Sequence, residues 1–288
     1  MEYAGNACHF WFKKDAFLAE EMKVSINKYK RPKIMYIPSE RNVLSVVKNI
    51  EELDNLPPML RLLRRRYLQG SENLKGDGSF NLPLSDYKAL VNKSSGETFI
   101  LEEKYGRAVP LVCASSGLWS IVPSTLVTSY LAAQSEQNVL ERIQSLNEKV
   151  YEQLRQSLSN DGAKSELERF MTSGISKSVS NETLAEITTV ANKYTNSFFL
   201  NVVEEPAQNL FPESQMKNLA FLLEAANVND ENKIVMMTHS PYVLSYITLA
   251  AKTYELMNKG VKCDSARKTK RTAIGTLLSN EQFAMHNV

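Results

Sequence analysis

Residues 198–206 read Phe198-Phe199-Leu200-Asn201-Val202-Val203-Glu204-Glu205-Pro206, a run of bulky apolar side chains that stops at two acids and a proline. Such a run reads as a buried strand, residues 198–203, feeding a loop. Working downstream, the pattern predicts a helix over 212–226, a strand over 233–237 and a helix over 241–257. Strand, helix, strand, helix implies a parallel sheet with helices packed on it. Ligands in such sheets gather beyond the carboxyl ends of the strands, so the chemistry is expected just after Val203 and Met237.

At the first of these ends stand Glu204 and Glu205. Consecutive side chains at a strand end point to different sides, so one carboxylate can bind a metal ion while the other orients water. A nucleotide-hydrolysing site needs both functions, because Mg²⁺ takes carboxylate help and the attacking water must lie in line with the departing phosphate. The same pair would also serve as a solvated acidic turn ahead of a helix, whose first turn favours negative charge. The second strand ends in Thr238-His239-Ser240-Pro241. Ser240 and Pro241 suit the start of the next helix. His239 has no such explanation, and it shares a sheet edge with the acidic pair. A third element, Ala114-Ser115-Ser116-Gly117, lies between a predicted strand and a predicted helix, where amides and hydroxyls form an anion-binding surface or an ordinary serine cap.

Upstream, residues 33–37 read as a strand stopped by Pro38, and 42–68 as helical with a break at Pro57-Pro58. The glycines and polar residues of 70–83 predict a loop. Residues 98–101 and 108–112 flank a four-residue turn and predict a hairpin, with a helix starting near Ser115. Over 136–158 apolar residues recur every three or four positions, which predicts one long amphipathic helix. A helix over 182–194 follows the serine-rich stretch 173–180, read as a flexible joint.

The 288 residues carry 34 Lys+Arg against 32 Asp+Glu, a net +2 that argues against a protein coating nucleic acid along its whole surface. Three widely spaced cysteines suggest neither a disulfide framework nor a CxxC metal site, and no secretory signal stands at the N-terminus, so a cytoplasmic location is expected. The uncharged stretch 108–135 is long enough to span a bilayer, but its prolines and hydroxyls suit a strand and a buried helix better, and no membrane partner is expected. Arg61, Arg64, Arg65 and Arg66, with Lys268, Lys270 and Arg271, are candidate phosphate contacts for DNA. None of the eleven glycines is followed by lysine, so the phosphate-cradling loop GxxxxGK[ST] is absent from these residues.

Taken in order, Tyr36-Ile-Pro-Ser-Glu-Arg-Asn42, Ser115-Ser-Gly117, 198–206 with Asn209-Leu-Phe-Pro212, and Thr238-His-Ser-Pro241 resemble the ABC-type ATPase heads of the SMC-like and OLD-like kind, grouped with AAA-family ATPases of bacterial defence and DNA maintenance. The resemblance implies a P-loop NTPase-like α/β fold with a mostly parallel sheet, flanking helices and a helical insertion, lacking the Walker A part. It implies a signature-bearing lobe over 1–135, a helical arm over 136–195 and a Walker B and switch lobe over 196–288.

On the same resemblance, Glu204 supports Mg²⁺, Glu205 is the catalytic carboxylate and His239 is the switch histidine sensing the γ-phosphate of ATP. Ser115, Ser116 and Gly117 form the signature that reaches the nucleotide of a second head, and residues 207–210 form the D-loop at that seam. The partners it implies are a second copy or another ATPase head, with DNA or a nuclease beyond. Arg41 is a candidate phosphate or seam contact. Two departures are evident: Glu204 stands where Asp is commoner, and the signature continues Leu118-Trp119. The competing expectation is a non-catalytic regulatory or interaction module that keeps the ATPase fold.

Overall fold

Three short strands open the chain as an antiparallel meander, β1 (Glu2–Ala4), β2 (Cys8–Lys13) and β3 (Ala16–Glu21), with Trp11 opposite both Glu2 and Leu18. The computed structural model describes residues 2–4, 8–13, 16–21 and 30–258 apart from 49, 54, 85, 93, 103 and 174–180. The chain divides into two units, one of residues 33–136 with 199–288 and the other of 1–32 with 137–198.

In the first of these units, β4 (Arg31–Ile37) ends at Pro38, and a 3₁₀ segment, Ser39–Leu44, follows. Helix α1 (Pro58–Glu72) begins with proline at a first-turn position, where its missing N–H is no loss. It runs through Gly70, which the sequence pattern had assigned to a loop. A Cβ on Gly70 would meet Leu126 Cγ at 3.2 Å, so this glycine is needed for a close helix crossing rather than for a turn. The predicted hairpin is present as β7 (Thr98–Glu102) and β8 (Arg107–Pro110), and it belongs to a larger sheet. Strands β5 (Ser79–Asn81) and β6 (Tyr87–Val91) extend it to four antiparallel strands in the order β5-β6-β7-β8. Tyr67 of α1 docks on this sheet, its buried hydroxyl 2.9 Å from Thr98 Oγ1.

Helix α2 (Ser116–Glu136) accounts for the long uncharged stretch, because it is buried along most of its length. Among the described residues no helix is long and apolar enough to cross a membrane. The second sheet consists of three parallel strands in the order β10-β9-β4, where β9 is Asn196–Glu204 and β10 is Lys233–Met237. Helices α7 (Pro212–Asn227) and α8 (Pro241–Asn258) follow β9 and β10 respectively, as the alternating pattern predicts.

Phe199 and Val203 of β9, with Met35 and Ile37 of β4, are buried in one core with Ile121 and Val122 of α2 and Leu222 of α7. The opposite face is open: Ile34 is 61 % exposed, Val235 46 % and Met237 43 %. Within this unit, residues 35–132 and 199–225 contribute to a single core, and β4 and β9 are neighbours in one sheet.

In the other unit, the helix expected over 136–158 is two helices, α3 (Val139–Gln144) and α4 (Glu148–Gln156). Asn138 and Glu141 close a capping box at the first, and the Asn147 side chain accepts from Val150 N at 2.9 Å to restart the second. The apolar period survives the break because Ile143, Leu154 and Leu158 enter one core with Leu167 of α5 (Asp161–Ser173) and Val190 of α6 (Asn181–Tyr194). The serine-rich joint, beyond Ser173, lies outside the described residues.

Candidate functional site

The carboxyl ends of β4, β9 and β10 bring together the residues that the sequence singled out from three separate motifs. Strand pairing places Glu204 opposite Met237, so the acidic pair and the Thr238-His239 tip lie at the same height. Glu204 is the last strand residue, and Glu205 leaves the strand with φ of 41°, in the left-handed region that non-glycine residues rarely occupy. This twist sends the two carboxylates to different neighbours. Glu204 turns toward β4, where its Oε2 accepts from Ser39 N at 3.0 Å and the Tyr36 hydroxyl donates to it. Glu205 turns toward β10, where Oε1 accepts from His239 N at 3.1 Å and lies 2.5 Å from His239 Nδ1, while Thr238 Oγ1 donates to Oε2 at 3.3 Å.

The electrostatics differ accordingly. The Tyr36 hydrogen bond, then those from Ser39, hold the Glu204 carboxyl below its ordinary range, so it is ionised at neutral pH. The same bond pushes the Tyr36 phenol up to about 12, with burial and the Glu204 and Glu40 charges adding. A phenol whose pKa is raised by folding stabilises the fold below its ordinary pKa and loses that contribution as pH rises through the raised value. The Tyr36–Glu204 bond is therefore expected to hold at pH 10 and to be lost as pH rises through about 12. The check is the phenolate absorbance difference between the parent and Tyr36→Phe, which should titrate near 12; a midpoint near the ordinary 10.0 would show that the bond does not form.

His239 stands at the rim, its side chain 99 % exposed against 30 % for Glu205. When Nδ1 donates to Glu205, the neutral ring presents Nε2 as an acceptor, and the protonated ring presents it as a donor. Behind it, Ser240 Oγ donates to Gln215 Oε1 at 2.6 Å, and Gln215 Nε2 donates to Leu210 O at 2.8 Å. The start of α8 is thereby tied through α7 to the loop that follows the acidic pair.

Arg41 is not a surface phosphate contact. Its residue is 1 % exposed, and its donors go to four main-chain carbonyls: Nε to Ser120 at 3.0 Å, Nη1 to Pro38 at 3.1 Å and Glu204 at 2.7 Å, and Nη2 to Glu205 at 2.7 Å. Burial lowers its pKa to about 10, while the charges of Glu205 and Glu204 oppose that fall. One residue along, in helix α2, Pro123 has no N–H to give the carbonyl of Trp119, and Ser45 Oγ supplies the donor at 2.8 Å. Sequence reading missed Ser45, although a proline inside a helix signals an orphaned carbonyl four residues earlier.

Ser115 and Ser116 are exposed at the start of α2, whereas Gly117 is buried. A Cβ on Gly117 would lie 2.8 Å from Asn209 O and 3.3 Å from Leu210 Cδ2. Asn209 itself has φ of 58°. Gly117 and the loop after the acidic pair therefore touch within one chain, and the small residue is what permits it. Gly117→Ala is expected to destabilise by about 1–3 kcal/mol in denaturant unfolding, despite the better helix propensity of alanine. A gain in stability would show that the approach is looser than this.

Three arginines of the basic cluster make local hydrogen bonds, while Arg65 is exposed. Arg61 and Arg64 donate to main-chain carbonyls of residues 50–56, and Arg66 donates to Gln69 Oε1 at 2.6 Å. Lys268, Lys270 and Arg271 lie outside the described residues.

Mg²⁺ takes one or two protein carboxylates and fills its remaining positions with water and phosphate oxygens. Glu204 is ionised, as a magnesium ligand must be, and it also accepts from Tyr36 and Ser39. Among the described residues no group of three or more His, Cys, Asp or Glu is placed to hold a metal by itself.

The fold and site together describe an α/β chain with a three-strand parallel sheet and a tandem-acid edge. No protein-family model, no curated protein and no solved structure matches the chain.

Proposed function

We propose that the chain forms part of an ATP-binding and ATP-hydrolysing head that pairs with a second head, the nucleotide holding the pair together and hydrolysis releasing it. The observation that carries this reading is the division of labour in the acidic pair: Glu204 is ionised and directed to the β4 side, while Glu205 is held by Thr238 and His239 on the β10 side. In this reading the Glu205 carboxylate takes the proton of the attacking water and His239 Nδ1–H fixes its orientation. Glu204 would hold Mg²⁺, which when bound supplies positive charge to the phosphate oxygens. The exposed hydroxyls of Ser115 and Ser116, at the positive end of α2, suit the terminal phosphate of a nucleotide on the facing head.

A phosphate loop is missing from these residues, so a further segment, encoded in frame or on another polypeptide, has to supply it. Calorimetric titration of Mg-ATP tests the reading. Weak or no binding is expected for these residues alone, and binding is expected once the phosphate-loop segment is joined to them. No binding by the joined protein would overturn the proposal in favour of a regulatory or interaction module that keeps the fold.

A further inference from the structure

We propose that Arg41 is a positioning residue that fixes the two glutamates through their main chain and couples them to helix α2. All four of its acceptors are carbonyls, and they come from three places: the turn after β4, the interior of α2, and the end of β9. A guanidinium is a rigid planar fork, so acceptors bonded to it cannot move independently. Two of them are the consecutive carbonyls of Glu204 and Glu205, each held at 2.7 Å.

That is where the backbone needs support. Glu205 sits at φ of 41°, a conformation that persists only where its surroundings over-determine it. It is fixed from one side by its own N–H, which donates to Met237 O at 2.7 Å, and from the other by Arg41 Nη2 on its carbonyl. With the φ of Glu205 set, its carboxylate falls between Thr238 and His239 and that of Glu204 falls against Ser39.

The third anchor gives the coupling. Nε holds Ser120 O, one residue from the carbonyl that Pro123 orphans and Ser45 satisfies. Helix α2 is thus grasped by the 3₁₀ segment at its weakest turn, four residues from the exposed Ser116. An axial or rotational shift of α2 would be transmitted through one side chain to both glutamates. The catalytic meaning of this coupling rests on the proposed ATPase reading; the clamp itself does not.

The experiment separates the two. Hydrogen exchange of the Ser39, Glu205 and His239 amides, read by NMR without nucleotide, is compared in the parent, Arg41→Lys and the core control Leu63→Ala. The expected result is about tenfold faster exchange at those three amides in Arg41→Lys, with α6 amides unchanged, and no selective change in Leu63→Ala. Exchange as slow as in the parent, or raised alike in Arg41→Lys and Leu63→Ala, would mean that Arg41 merely supports the core and would overturn the proposal. Arg41→Gln, which buries no charge, serves where Arg41→Lys does not fold. In the parent itself the four bonds require resolved, slowly exchanging Nε and Nη protons, and averaged fast-exchanging ones overturn the clamp whatever the variants do.

In the protein joined to its phosphate-loop segment, Arg41→Lys should lower kcat with little change in the KM for ATP. Selective amide exchange without any ATP turnover would leave the clamp standing and sink the ATPase reading instead.

Discussion

Glu205→Gln, in the protein joined to a phosphate-loop segment, is expected to hydrolyse ATP about 10²–10⁴-fold more slowly than the parent while still binding it. The substitution is close to isosteric. A glutamine oxygen at the Oε1 position can still accept from the His239 amide, now 3.1 Å away, so the loop geometry is retained. What is lost is the capacity to take a proton from water. By the relation of about 1.4 kcal/mol per tenfold, the change corresponds to roughly 3–5 kcal/mol of transition-state stabilisation. On the proposed reading, in which hydrolysis releases the pair, paired heads should also persist longer on ATP, which sedimentation would report. A Glu205→Gln variant as active as the parent would remove this residue from the mechanism.

The second large effect concerns the strand that presents the pair. Phe199→Ala is expected to destabilise by about 3–5 kcal/mol, because this side chain is fully buried between β9 and the helices. Leu200→Ala, one residue on and just as apolar, is expected to lose only about 1 kcal/mol. Their side chains lie on opposite faces of a sheet that is covered on one side, and the Leu200 face continues to exposed Val235 and Met237. Urea unfolding of the two variants, with the slope of the transition checked for two-state behaviour, measures the contrast. Equal losses would mean that both faces are covered.

Much of this site could be read from residue order. The limits of α7 and β10 agree with the sequence pattern to within a residue, because Pro212 marks the helix start and a short apolar run bounded by polar residues marks the strand. The shared edge of Glu204, Glu205 and His239 follows from the topology of parallel sheets. What could not be read was decided by contacts remote in sequence. No local signal told that Arg41 would be buried, since its partners Ser120, Glu204 and Glu205 lie far along the chain.

The left-handed conformation of Glu205 was equally hidden, because a glutamate gives none of the warning that a glycine would. Strand β5 was missed for another reason: it has only three residues and interrupts the polar, glycine-rich stretch 70–83, whose composition favours turns, while β6 lies just beyond that stretch. The break between α3 and α4 left the apolar period intact, so only the capping asparagines distinguish two helices from one.

The three-strand sheet has two outer edges, and they are guarded unequally. Strand β4 begins Arg31-Pro32-Lys33, a proline that cannot donate to an added strand and two cations that discourage one. Strand β10 reads Lys233-Ile-Val-Met-Met237, with a single charge at its far end and none beside the acidic pair. Among the described residues no strand pairs with its outer edge, so its hydrogen-bonding groups can serve as a template for an added extended segment. Colloidal behaviour thus becomes a structural readout: self-association that vanishes on placing a lysine at Val235 would locate the sticky edge at the very strand that carries His239.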